Sequence, residues 1–144
     1  MNDETAPGID RSTEAGARAA ERLAHDKVIW LSSVDPDGTP QHSPVWFLWD
    51  GSIFLVYSKQ SPRVSNIQAR PRVGMNLDGN GQGGDIVVVE GLAHIDHSRP
   101  SAADNPTYLD KYRETMDTYG WSPEWFADHY PVPIVINPTA FRYW

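Results

Sequence analysis

The stretch Tyr57-Ser58-Lys59-Gln60-Ser61-Pro62-Arg63-Val64-Ser65-Asn66-Ile67 concentrates chemistry-bearing side chains. It holds three serines, an arginine and one of the chain's only three lysines. Pro62 suits the first turn of a helix, and Ser61 is a suitable N-cap before it. A helix starting there would present free N–H groups and the positive end of its dipole to the preceding segment. Arg63 and Asn66 are three apart and share one face, while Val64 and Ile67 form an adjacent apolar face. Hydroxyls, an ammonium, a guanidinium and a helix N-terminus therefore converge, the chemistry of an anion site. The competing reading is a solvated basic turn.

The elements around this stretch must position it. Ser52–Tyr57 reads as a strand and Pro62–Ala69 as a short helix stopped before Pro71. Upstream, Ser12 or Thr13 caps an Ala-rich helix running to about His25. Val28–Val34 is a strand, and Asp35-Pro36-Asp37-Gly38 is a turn. Gln41–Trp49 is its partner strand, and Asp50-Gly51 a tight hairpin in which both residues tolerate positive φ. Downstream, Arg72–Asp78 and Asp85–Asp96 read as strands joined by a glycine-rich link, and Pro106–Tyr119 and Pro123–His129 as helices. Val132–Asn137 and Thr139–Trp144 close the chain as two strands. Six or so strands, mostly joined by hairpins, predict a mainly β (α+β) fold, an antiparallel split barrel of six to seven strands with peripheral helices. Residues 1–11 are expected to be a flexible arm before a single domain spanning 12–144.

Composition narrows the function. The 144-residue chain carries a formal net charge of −7 and sixteen aromatic residues. Acidity argues against a nucleic-acid surface and makes any anion site local. There is no cysteine, so no disulfide framework, thiolate metal site or cysteine nucleophile. No apolar run approaches the roughly 20 residues of a membrane-spanning helix. The polar, acidic N-terminus is no signal peptide, and a cytoplasmic location is expected.

Other motifs carry less. Gly79–Gly84 resembles a phosphate loop but leads into Ile86-Val87-Val88-Val89, a strand, where a dinucleotide fingerprint requires a helix. His94 and His97 lack a third ligand nearby, so no metal site is expected. Trp121, Trp125, Phe126 and Tyr130 fall at i, i+4, i+5 and i+9. That spacing suits a core face or an interface, or the wall of a pocket for a flat ligand. Pro44, inside His42-Ser43-Pro44-Val45-Trp46-Phe47, marks an edge or a bulge, and with Trp46 offers a ledge for a planar ring. There is neither GxSxG nor HExxH.

Taken together, LSSVDPDGTPQHSPVWFLWDGSIFLVYSKQSPRVSNIQARPRVGMNLDG resembles the split β-barrel superfamily that binds flavins and deazaflavins and includes pyridoxamine 5′-phosphate oxidases. Within it the sequence is most similar to the actinobacterial branch that uses coenzyme F420. The likeness spans residues 20–96 and continues more weakly to the end. It implies a homodimer with two cofactor sites at the interface. His42, Pro44, Val45 and Trp46 would back the tricyclic ring. Tyr57, Ser58, Lys59, Ser61, Arg63, Val64, Asn66 and Ile67 would hold its phosphate side. The C-terminal Phe141-Arg142-Tyr143-Trp144 lacks the oxidase's substrate-binding motif. The expected activity is hydride transfer from reduced F420 to an electron-poor small molecule, with Tyr57, His42 or solvent delivering the proton. The alternatives are an FMN oxidoreductase of the same fold and a non-catalytic coenzyme carrier.

Overall fold

The computed structural model describes residues 8–144. Helix α1, Glu14–His25, is capped by Thr13, whose Oγ1 accepts the Gly16 N–H at 3.0 Å. Gly16 is required there, because a Cβ would lie 1.8 Å from the Asp10 carbonyl oxygen. The seven strands are β1 Ile29–Val34, β2 Pro40–Val45, β3 Leu48–Trp49, β4 Phe54–Ser58, β5 Arg72–Asn76, β6 Val87–Ile95 and β7 Val132–Tyr143. They form one antiparallel sheet in the order β2-β1-β5-β6-β7-β4-β3. Helix α2 is Pro62–Ala69, α3 is Pro106–Thr118 and α4 is Pro123–His129.

The partner strand expected over Gln41–Trp49 is in fact two strands, β2 and β3, at opposite edges of the sheet. Only Trp46 and Phe47 separate them, and three peptide steps reach at most about 11 Å. Seven flat strands would hold those edges nearly 30 Å apart, at roughly 4.8 Å per strand. The sheet must therefore roll up, and residues 46–47 bridge its two rims.

Several contacts fix the bridge. Phe47 is fully buried. Its N–H donates to the Tyr112 hydroxyl at 2.8 Å, and its carbonyl accepts from Lys111 Nζ at 2.9 Å. The Tyr112 hydroxyl lies 2.7 Å from the Lys27 carbonyl and 2.9 Å from that of Phe47, either of which can take its proton. Backbone groups that leave one ladder before joining another are thus satisfied by α3.

Two other boundaries differ from expectation. Val132–Tyr143 is one strand, because a bulge at Thr139, which has no partner opposite the Glu90/Gly91 step of β6, absorbs the irregularity beside Pro138. A Cβ on Gly91 would come within 2.9 Å of the Asn137 carbonyl oxygen. At the hairpin before β4 only Gly51 has positive φ (+94°); Asp50 instead accepts the Ser52 and Ile53 N–H groups with its carboxylate, both at 2.8 Å. A side-chain turn replaces the second left-handed residue.

The barrel interior is filled by Leu31, Phe47, Phe54, Val56, Val64, Ile67, Met75, Val89, Ile134 and Ile136. A second apolar cluster lies where α3 and α4 cover the other face of β4 and β7, around Leu55, Tyr57, Tyr108, Tyr112, Met116, Phe126 and Val135. Both faces of β4 are therefore buried. The expected flexible arm falls, for residues 1–7, outside the described residues. Within the rest, Ile9 packs on the core and the Asp10 N–H donates to the Tyr143 hydroxyl at 2.9 Å. No helix among the described residues is long and apolar enough to cross a membrane.

Candidate functional site

A cleft of about 540 Å³ opens where the 46–47 bridge, the end of β4 with the start of α2, and the α3–α4 region meet. Pro44, Val45 and Trp46 form one side. Tyr57, Ser58, Lys59, Ser61 and Arg63 form the polar end, and Tyr119, Trp121, Phe126 and Tyr130 the aromatic wall. The volume lies in the range of small-molecule sites.

Arg63 decides the electrostatics. Its guanidinium is half-buried and donates to the hydroxyls of Ser58, at 3.2 Å, and Ser43. Among the described residues no carboxylate pairs with it. Burial alone pushes its pKa down. A cation taken partly out of water without an anion is unfavourable unless something else supplies the charge. Ser61 stands at the N-cap of α2, yet its side chain makes no capping bond, and its buried Oγ has no partner. Buried hydroxyls are rarely left so. A cation without an anion and a serine with an unpaired hydroxyl thus line one cleft, and an anionic group fits both. Lys59 is exposed, with Nζ 5.4 Å from the centre of the Tyr130 ring, where it adds positive charge at the rim.

The structure distributes the sequence-predicted residues unevenly. Pro44, Val45, Trp46, Tyr57, Ser58, Lys59, Ser61 and Arg63 all line the cleft. His42 stacks on Trp30, with ring centres 5.3 Å apart, and lines a smaller cavity of about 230 Å³ that shares Ser61 and Arg63 with the cleft. The side chains of Val64 and Ile67 point into the barrel core. Asn66 is buried and donates to Asp35 at 3.0 Å, so it steadies the turn after β1. These three can serve the cleft only by holding α2 in place. The Tyr57 hydroxyl donates to the Pro100 carbonyl at 2.8 Å and accepts from Asn105 at 3.1 Å. Burial raises its pKa, partly opposed by the Asn105 bond. That hydroxyl is committed to anchoring the segment before α3.

Trp46 does not stand alone as a ledge. It stacks on Tyr112 (ring centres 4.7 Å apart, 3° between planes) and on Phe126 (5.2 Å, 8°). Trp121, Phe126 and Tyr130, which the sequence left between core and pocket wall, do both: Phe126 is buried, and all three face the cleft. Sequence reasoning missed Tyr119 and Ser43. Ser43 adjoins His42, and strand alternation sends adjacent side chains to opposite faces. His94 and His97 are exposed, and no three metal-ligating side chains gather among the described residues.

Residues 16–144 match the pyridoxamine 5′-phosphate oxidase family. The chain belongs to that family. Solved structures agree with its fold. An F420 reductase is 28% identical, covers 85% of this chain and 94% of its own, and superposes with a TM-score of 0.62. General Stress Protein 26 from Bacillus anthracis str. Sterne is 25% identical over 88% of this chain and 91% of its own, with a TM-score of 0.64. A conserved hypothetical protein from Mycobacterium tuberculosis, at 21% identity, covers 92% of this chain and 85% of its own with a TM-score of 0.70. No curated protein is similar enough in sequence to count as a match.

Proposed function

We propose that the protein is a cytoplasmic oxidoreductase that binds the deazaflavin coenzyme F420 in this cleft and reduces an electron-poor small organic molecule. The observation that carries the reading is Arg63, a half-buried guanidinium without a carboxylate beside an orphaned Ser61 hydroxyl, facing an aromatic wall. A ligand that is anionic at one end and flat at the other matches both features. Similarity to an F420 reductase favours the deazaflavin over FMN within a fold that serves both kinds of cofactor.

When bound, the reduced deazaflavin supplies a hydride. Arg63, Ser43, Ser58 and Ser61 would hold its phosphate, with Lys59 drawing the acidic tail from the rim. Pro44, Val45 and Trp46 would orient the ring, and Trp121, Phe126 and Tyr130 would keep water from it. With the Tyr57 hydroxyl engaged and His42 stacked on Trp30, solvent is the proton source this arrangement favours.

We further propose a homodimer. The outward side of the sheet carries the half-buried Trp30 and Val88 and the 40% exposed Leu92, an apolar face that a second copy would cover. Light scattering should then give about twice the chain's 16.1 kDa.

The test is a parallel titration with F420 and with FMN, followed by turnover of the reduced coenzyme with an activated alkene or quinone. Tighter F420 binding with turnover supports the reading. Tighter FMN binding replaces the cofactor, and tight binding without reduction of any acceptor makes the protein a carrier.

A further inference from the structure

Away from the cleft, a groove of about 740 Å³ runs along the solvent side of α3, and Lys27 and Lys111 both line it. Lys111 is unusual among the three lysines. Its Nζ sits 3.8 Å from the centre of the Phe47 ring, and its one hydrogen bond goes to the Phe47 carbonyl. No carboxylate pairs with it among the described residues. Lys27 supplies a second ammonium: its Nζ donates to the Lys111 backbone carbonyl at 2.6 Å, and both Nζ atoms lie within 5.5 Å of the centre of the Tyr112 ring. Desolvation and an adjacent cation are the two arrangements that make a lysine a nucleophile toward carbonyl compounds.

We infer that Lys111 is a reactive amine that condenses with small uncharged aldehydes entering this groove to form an imine. The carbonyl compound must be uncharged because Asp104, Asp110, Glu114 and Asp117 line the groove and repel anions, while Lys27 and Arg113, which line it too, disfavour cations beside Lys111.

The chemistry balances without an oxidant. The Nζ lone pair attacks the carbonyl carbon, an N–C bond forms, and the oxygen takes a proton to give a carbinolamine. The C–O bond then breaks and the oxygen leaves as water. Solvent in the groove gives the departing hydroxyl its proton and takes the one that nitrogen sheds. Burial, then the Lys27 charge, push the Lys111 pKa down to about 8, against a smaller opposing pull from Asp26. At pH 7.5 such an amine is about one quarter free base, against about one part in a thousand for an ordinary lysine. Its lower basicity blunts each attack, which leaves an advantage of about tenfold.

The experiment is imine trapping on the intact protein. Butanal at limiting concentration with sodium cyanoborohydride converts each imine into a stable secondary amine, and peptide mass spectrometry assigns the lysine. Lys111 should be alkylated about tenfold faster than Lys59 at pH 7.5, with a rate that levels off just above pH 8, where the Lys59 rate keeps climbing. In Lys27→Met the Lys111 rate at pH 7.5 should fall several-fold. Equal or slower labelling of Lys111 in the folded wild-type protein, or a Lys111 profile still rising at pH 10, would overturn the assignment. Labelling in urea, where all three lysines should react alike, confirms that the fold sets the difference.

Discussion

Replacing Arg63 with methionine separates a ligand-binding arginine from a structural one, because the two roles predict opposite signs. The guanidinium is half-buried, bonded only to two serine hydroxyls and matched by no carboxylate among the described residues. In the ligand-free protein the charge is therefore held at a cost, which water at its exposed flank reduces to about 1 kcal/mol. Methionine keeps the length and apolar stem without the charge. Ligand-free Arg63→Met should be as stable as the parent or up to about 1 kcal/mol more stable, a rise of about 3 °C in Tm for a domain of this size. Coenzyme binding should move the other way. A charge-assisted bond to an anionic oxygen contributes about 1.5–3 kcal/mol, so Kd should rise by about one to two orders of magnitude. The remaining affinity should depend less steeply on salt than that of the parent. Scanning calorimetry of the ligand-free protein and calorimetric titration of coenzyme at low and high salt read both quantities. A Tm lowered by more than about 5 °C with an unchanged Kd would make Arg63 a strut and refute the anion site.

Three further outcomes follow from other contacts. Trp46→Ala removes a ring stacked on Tyr112 and Phe126 and should cost about 3 kcal/mol in urea unfolding, with Trp46→Phe recovering most of it. Tyr57→Phe deletes a hydroxyl bonded to Pro100 and Asn105; it should cost about 1 kcal/mol of stability and leave kcat unchanged, whereas a large loss of kcat would make Tyr57 the proton donor. Lys111 gives a pH dependence of definite sign. Its folded pKa of about 8 lies below the model-compound value of 10.5, so the unfolded chain binds more protons between those limits and stability should rise with pH across them. Above pH 10 the rise should reverse, because burial raises the pKa values of Tyr108 and Tyr112 and only the unfolded tyrosines ionise there. Denaturant titrations from pH 7 to 11 should show a maximum near pH 9–10, and Lys111→Met should lose the ascending limb.

Legibility from sequence followed the range of the forces involved. Helix α2 was readable to its ends because Pro62 and Pro71 punctuate it locally. Helix α1 and the turn at Gly38 were readable for the same kind of reason. The break at Trp46-Phe47 was not. Val45 to Trp49 reads as one apolar run, and what divides it is a set of bonds from Lys111 and Tyr112, more than sixty residues away. Likewise Val132–Tyr143 looks interrupted at Pro138, and what keeps it continuous is pairing with β6 on both sides of the unpaired Thr139. Local pattern shows which residues are apolar; it does not show which partner claims them.

The candidate site divides along the same line. The stretch from Ser58 to Arg63 revealed itself because an anion site needs several polar groups, and a strand end running into a helix N-terminus brings them together within six residues. Helical periodicity also sent Val64 and Ile67 toward the core, as found, but could not tell that Asn66 would turn to Asp35. The aromatic wall was visible only as a spacing. Trp121, Phe126 and Tyr130, in and just outside the short helix Pro123–His129, require an apolar neighbour, and sequence cannot say whether that neighbour is protein or ligand. The structure answers through Trp46. Because the bridge at residues 46–47 joins the two rims of the sheet, it carries Trp46 against Phe126 and Tyr112 and sets Pro44 and Val45 beside Arg63. The step that closes the barrel is therefore the same step that brings the flat wall and the cationic end into one cleft. A substitution that frees the bridge, such as Tyr112→Phe, should disturb coenzyme affinity and barrel stability together, although Tyr112 does not line the cleft.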